Sequence, residues 1–236
     1  MNRDSITILS FDVVGTLIDF ETGILEWFQP WLREHKRKID DDEVLRRFAR
    51  AEEQLQQTEP KTSFTAMLPR IHGELSRQWE LDADEGDALD FRDSVRDWPA
   101  FSDAHAALKT LGERYRLVAV TNADAWALEH MSRTLGNPFH DQVTQDEVGV
   151  NKPDSAVWRY LLKKLGVGPE AVLHCAQSVF HDIVSAHAFG LPTAWIERRH
   201  NVEGSGATPS VELSIRPDIH VHNLSELVEQ LRKPAA

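Results

Sequence analysis

A block of purely helical pattern, residues 21–95, separates a β-branched strand at 5–11 from the next strand at 116–120. Within the block apolar residues recur at three- and four-residue steps (Ile24, Phe28, Trp31, Leu32; then Val44, Leu45, Phe48), the period of helices with one buried face. Breaks fall at residues 40–42 and at Glu59-Pro60, and the three aspartates of the first break suit an N-cap and first turn facing the helix dipole. A helical block of this length between two strands marks an insertion. It predicts a helical domain at 20–95 set into a core built from 1–19 and 96–236. After Trp98-Pro99 the pattern alternates: helix 103–113, strand 116–120, helices 124–135 and 154–165, strand 171–175, helix 181–189, strand 192–196, and a last strand and helix at 218–232. Repeated β-α units imply an α/β fold with a mostly parallel sheet, helices on both faces and right-handed crossovers. Residues 201–210 read as a loop.

Composition narrows the partners. A formal charge of −12 over 236 residues argues against nucleic acid and anionic membranes, which need clustered Lys and Arg. The lone cysteine, Cys175, cannot form an internal disulfide, so a reducing compartment is the simpler expectation. No apolar run reaches the length of a bilayer span, and the N-terminal residues do not read as a signal peptide. The expected location is cytoplasmic and the expected partner a small molecule.

In parallel α/β sheets ligands bind beyond the carboxyl ends of the strands. Four segments reach that rim: residues 12–16 after the first strand, Thr121 and Asn122 after the second, Lys152 in Val150-Asn151-Lys152-Pro153-Asp154, and residues 177–182 after the strand containing Cys175. They bring a carboxylate (Asp12), a hydroxyl-amide pair, an ammonium (Lys152) and a second carboxylate (Asp182) to one edge.

In this order, with a helical insertion after the first, these segments resemble the motifs of the haloacid dehalogenase superfamily. The resemblance covers the whole chain and implies a Rossmann-like core, a helical cap and Asp12 as a nucleophile that forms an ester on its own carboxylate. Superfamily phosphatases carry a second Asp two residues after the nucleophile and a further acidic residue that helps hold Mg²⁺. Here those positions are Val14 and Gln177, within Ala176-Gln177-Ser178. Displaced halide needs no proton donor, and a Lys near the nucleophile balances charge. Residues 11–19 and Trp195-Ile196-Glu197-Arg198 are similar to the type II 2-haloacid dehalogenases, which need neither metal nor cofactor.

The resemblance thus implies dehalogenation of a small 2-haloalkanoic acid to the 2-hydroxy acid. Asp12 attacks carbon, Lys152 keeps Asp12 ionised, and Asp182 orients Lys152 and acts on the water. Thr16 fixes the Asp12 rotamer. Thr121, with the backbone after Asp12 at Val13 and Val14, holds the substrate carboxylate, and Asn122 faces the halide. Ser178, beside Val179 where an Asn is expected, and Trp158, where a Tyr is expected, complete the pocket. For the cap arginine that meets halide in relatives, the helix carrying Arg46, Arg47 and Arg50 offers Arg47 as the candidate. The resemblance admits a homodimer through the cap helices. Two alternatives stay open: a phosphatase on a small phosphomonoester, and a weakly active homologue serving as a binding module. His220 and His222 share a strand face without a Cys or acidic partner at metal spacing, so no metal is expected. Cys175 reads as a buried small hydrophobe.

Overall fold

The computed structural model describes residues 2–82, 84–202, 204, 206–208 and 215–232. Its centre is a six-stranded parallel sheet in the order β3-β2-β1-β4-β5-β6. The strands are β1 (Ile8–Phe11), β2 (Arg116–Val120), β3 (Asp141–Val143), β4 (Val172–Ala176), β5 (Thr193–Ile196) and β6 (Ile219–Val221). All residues of β1 and β4 are buried, which is why their sequences run apolar without alternation. The chain builds outward from β1 to β3, then crosses back and builds from β4 to β6. The direction of winding therefore reverses beside β1, where such sheets place their ligand crevice.

Four helices, α1 (Phe20–Glu34), α2 (Asp41–Thr58), α3 (Phe64–Gln78) and α4 (Glu85–Asp93), lie between β1 and the helix α5 (Ala104–Gly112) that leads to β2. They pack in sequence order, α1 on α2, α2 on α3 and α3 on α4. Asp40 caps α2, accepting from the Glu43 N–H at 2.8 Å. The segments entering and leaving the block run side by side: the Asp19 N–H donates to the Pro99 carbonyl at 2.8 Å and the Phe101 N–H to the Leu17 carbonyl at 3.0 Å.

The remaining helices are α6 (Ala125–Thr134), α7 (Gln145–Val148), α8 (Ser155–Leu165), α9 (Val184–Ala188) and α10 (Leu224–Arg232). Two elements differ from expectation. β3 and α7 occupy a stretch without a predicted strand, since Asp141-Gln142-Val143 is short and carries one apolar residue. The helix predicted at 181–189 starts earlier, as a π-helical turn, Val179–Ile183, that runs into α9. Of the loop read at 201–210, Glu203, Ser205, Pro209 and Ser210 lie outside the described residues. No helix among the described residues is long and apolar enough to cross a membrane.

Candidate active site

Asp12 follows β1, its N–H donating to the Cys175 carbonyl of β4 at 3.1 Å. The chain then turns sharply through Gly15, at φ +85°, where an added Cβ would meet the Phe20 ring at 3.2 Å; the left-handed backbone and the close ring both require glycine. The turn brings Thr16 back over Asp12. The Thr16 hydroxyl donates to Asp12 Oδ2 at 2.6 Å and accepts the Gln177 N–H at 2.8 Å, so its direction is fixed at both ends.

Lys152 is 2% exposed. Its ammonium donates to Asp12 Oδ1 at 2.8 Å, to Asp182 Oδ1 at 2.7 Å and to the Val120 carbonyl at 2.9 Å. Those three bonds use its full donor set. Burial pushes the Lys152 pKa down, but the two carboxylates outweigh it and the net direction is up. Burial likewise raises the Asp12 pKa, against the opposing pull of Lys152. Both Asp12 oxygens accept hydrogen bonds, the pattern of the ionised form. Asp182 is held down to about 2: burial acts upward, but Lys152 and His174 act downward and prevail.

His174, fully buried on β4, joins the site without any sequence motif that marks it. Its Nε2 lies 2.9 Å from Asp182 Oδ1 and its Nδ1 2.9 Å from the Ser10 hydroxyl. A carboxylate can only accept, so Nε2 carries a hydrogen toward Asp182. Oδ2 of Asp182 is buried with no hydrogen-bond partner among the described residues.

Above this cluster lies a cavity of about 50 Å³, walled by Asp12, Val14, Thr121, Lys152, Ser178 and Asp182 from the sheet side and by Phe20, Glu52, Gln56 and Phe64 from the helical block. Glu52, on α2, is 6% exposed, and burial pushes its carboxyl up to about 8. It accepts a hydrogen bond from Gln56 Nε2 at 2.9 Å. Gln56 Oε1 in turn lies 2.8 Å from His181 Nε2, and His181 Nδ1 lies 3.1 Å from the Ser178 hydroxyl. Burial lowers His181 to about 4, which keeps the ring neutral, with Nε2 as donor to Gln56.

Several expected site residues are placed elsewhere. Arg47 is bonded through Nε to Glu43, its guanidinium lies 5.9 Å from the Trp79 ring centroid, and it does not line the cavity. Helical rotation explains this: Glu52 on the same helix takes the inward position. Trp158 is fully buried behind the site, its ring 4.7 Å from His174 and its Nε1 donating to Ser185 Oγ at 3.2 Å. The Val13 side chain packs in the apolar core and its carbonyl accepts the Leu17 and Ile18 N–H groups, neither of which bears on the backbone N–H expected at the substrate carboxylate. Asn122 does line the cavity, but its amide clamps the Lys152 backbone, donating to the Lys152 carbonyl at 3.1 Å and accepting the Lys152 N–H at 2.7 Å. Thr121, Val14 and Ser178 line the cavity. The Trp195–Arg198 motif acts from beneath: Trp195 Nε1 donates to the Gln177 carbonyl at 3.0 Å, and Arg198 Nη2 to the Thr16 carbonyl at 2.8 Å.

The donor set does not fit magnesium. Mg²⁺ favours an octahedron of hard oxygens, whereas Lys152 and Thr16 engage both oxygens of Asp12, the neighbouring rim position is the neutral Gln177, and Asp182 offers a single open oxygen.

The family model for haloacid dehalogenase-like hydrolases matches residues 6–190, and the chain belongs to that family of hydrolases. It is 30% identical over 118 residues to the (S)-2-haloacid dehalogenase of Pseudomonas sp. (strain YL), 48% of this chain and 50% of that protein. The chain thus matches about half the length of that relative. It is also 26% identical over 232 residues, 97% of each chain, to pyrophosphatase PpaX of Bacillus pumilus (strain SAFR-032). Among solved structures, a defluorinating L-2-haloacid dehalogenase aligns with a TM-score of 0.82 at 20% identity, covering 97% of this chain and 96% of that one. At that identity the likeness is one of fold.

Proposed function

We propose that this hydrolase cleaves the carbon–halogen bond of a small 2-haloalkanoic acid through an ester on Asp12, without metal or cofactor. The observation that carries the reading is the buried Lys152 ammonium, bonded to both Asp12 and Asp182 at a rim where Val14 and Gln177 offer neither a second acid nor a third carboxylate. An Asp12 oxygen attacks the carbon bearing halogen, the carbon–halogen bond breaks with its electron pair leaving on the halide, and an alkyl ester forms. Water then adds to the Asp12 carbonyl carbon, and Asp182 accepts its proton through the oxygen that has no protein donor. Collapse of the adduct frees the 2-hydroxy acid and restores Asp12. Thr121 and Ser178 contact the substrate carboxylate. Helices α1–α4 act as a cap domain, residues 20–95, over a core of 1–19 and 96–236. A cavity of about 50 Å³ suits a substrate of few heavy atoms.

No arginine lines this cavity among the described residues, so the leaving group meets Glu52 instead. Glu52 in its protonated form donates a hydrogen bond to the departing halide. Protonation dominates below its pKa of about 8, so turnover is expected to fall as pH rises through that value. Glu52→Gln keeps an N–H donor that does not titrate, and its alkaline limb should flatten. A wild-type rate that stays level well past pH 8 removes Glu52 from this role.

One observation favours a second reading. The full-length match to a pyrophosphatase, together with an acid at Glu52 that could protonate an alkoxide, points to phosphomonoester hydrolysis. Halide and phosphate release measured side by side on small haloacids and phosphomonoesters, with and without EDTA, separates the two. Halide release indifferent to EDTA supports dehalogenation; phosphate release alone refutes it.

A further inference from the structure

We infer that Glu197, His200 and His222 form a surface site for a divalent transition metal of the zinc class, separate from the catalytic cluster. Two chain segments assemble it, the turn after β5 and the residue after β6. Glu197 directly follows β5, and its N–H donates to the Val221 carbonyl of β6 at 2.8 Å, which sets it beside His222. A turn then carries His200 back over Glu197, the His200 N–H donating to the Glu197 carbonyl at 3.1 Å. The acidic partner that spacing along the chain did not supply to His220 and His222 thus comes from the neighbouring strand.

The distances suit zinc, and the His200 and His222 rings, stacked with centroids 3.6 Å apart, must swing apart for both nitrogens to face one ion. Zinc–nitrogen and zinc–carboxylate bonds of roughly 2.0–2.1 Å in a tetrahedron place ligand atoms about 3.3–3.4 Å apart. Glu197 Oε2 lies 3.4 Å from His200 Nδ1 and 3.6 Å from His222 Nε2, and the three ligand atoms all fall within 4.8 Å of one another. Supporting contacts are present as well. The other nitrogen of His222, Nδ1, lies 3.5 Å from Glu226 Oε2, and that oxygen also accepts the His222 N–H at 2.9 Å. A carboxylate behind a ligating imidazole fixes its orientation and raises its basicity. His220 Nε2 lies 2.9 Å from Glu197 Oε2, and its ring is stacked on Trp195 with centroids 4.3 Å apart, so His220 steadies the carboxylate from outside the ligand set. Two imidazoles and one carboxylate leave a fourth position for water.

The test is isothermal titration of untagged full-length protein with Zn²⁺, with thermal unfolding recorded in parallel. One ion per chain is expected to bind saturably and to raise the Tm. Glu197→Gln, His200→Ala and His222→Ala, each checked by circular dichroism, are expected to weaken binding by at least about tenfold. His187→Ala, an exposed imidazole outside the cluster, should leave binding unchanged. Absence of saturable binding, or binding that none of the three variants weakens, overturns the assignment. Because these readouts are independent of turnover, they stand apart from the dehalogenase reading.

Discussion

Asp12→Asn is expected to lower kcat on any haloacid substrate by roughly 10⁴-fold or more, the scale seen when a covalent nucleophile is removed, while leaving the fold intact. Asn preserves the shape of the side chain and one acceptor, so the Lys152 bond to Oδ1 persists, while the Thr16 hydroxyl loses the acceptor it has in Oδ2. What it lacks is the negative charge needed to displace halide from carbon. The substitution also removes a buried anion, and since burial raises the Asp12 pKa, the stability of the variant should not collapse. Residual turnover near the wild-type level in protein shown by mass spectrometry to be free of deamidated Asp12 assigns the chemistry to another group.

Lys152→Met should damage both stability and activity. It keeps a stem of similar length but deletes the cation lying between two buried carboxylates. Leaving buried charge unpaired costs about 3–5 kcal/mol, enough to be read directly in urea unfolding. The loss should depend on pH. In the wild type Asp182 is held at about 2 against an ordinary 3.8, so its contribution is complete above the ordinary value and fades as pH falls through about 2. Without Lys152 the carboxylates are raised instead, and the variant should become more stable, relative to wild type, as pH is lowered towards 4. An unfolding midpoint equal to that of the wild type at pH 7 contradicts the structural part of this account, and unchanged kcat contradicts the catalytic part.

Much of this site could be read from the chain because its parts sit at strand ends, where short motifs (Asp12 to Thr16, Thr121-Asn122, Lys152-Pro153, Asp182) are set by local geometry. The residues that escaped depend on tertiary packing. Glu52 and Glu53 are adjacent in an acidic run that looks like a solvated helix face, yet Glu52 is 6% exposed while Glu53 is exposed. A helix turns about 100° per residue, and which of the two faces inward is decided by how α2 lies on the sheet. The same rotation removes Arg47 from the cavity. His174 was hidden because β4 is buried on both faces, so period-two alternation could not mark one side as polar. Trp158 shows the reverse error: a position inferred from resemblance, where an indole in place of a phenol packs behind the cluster on His174. β3, with three residues, lacks the apolar run by which the other strands were recognised.

An ester mechanism requires that Asp12 itself bonds to the substrate carbon. It is tested most directly by a single turnover of a small 2-haloacid, with enzyme in excess, in H₂¹⁸O. The expected result is that ¹⁸O appears in the peptide containing Asp12 and that the 2-hydroxy acid from this first turnover carries unlabelled oxygen from the carboxylate. Label in the product with none in the Asp12 peptide would mean that water attacks carbon directly, and it would contradict the ester mechanism.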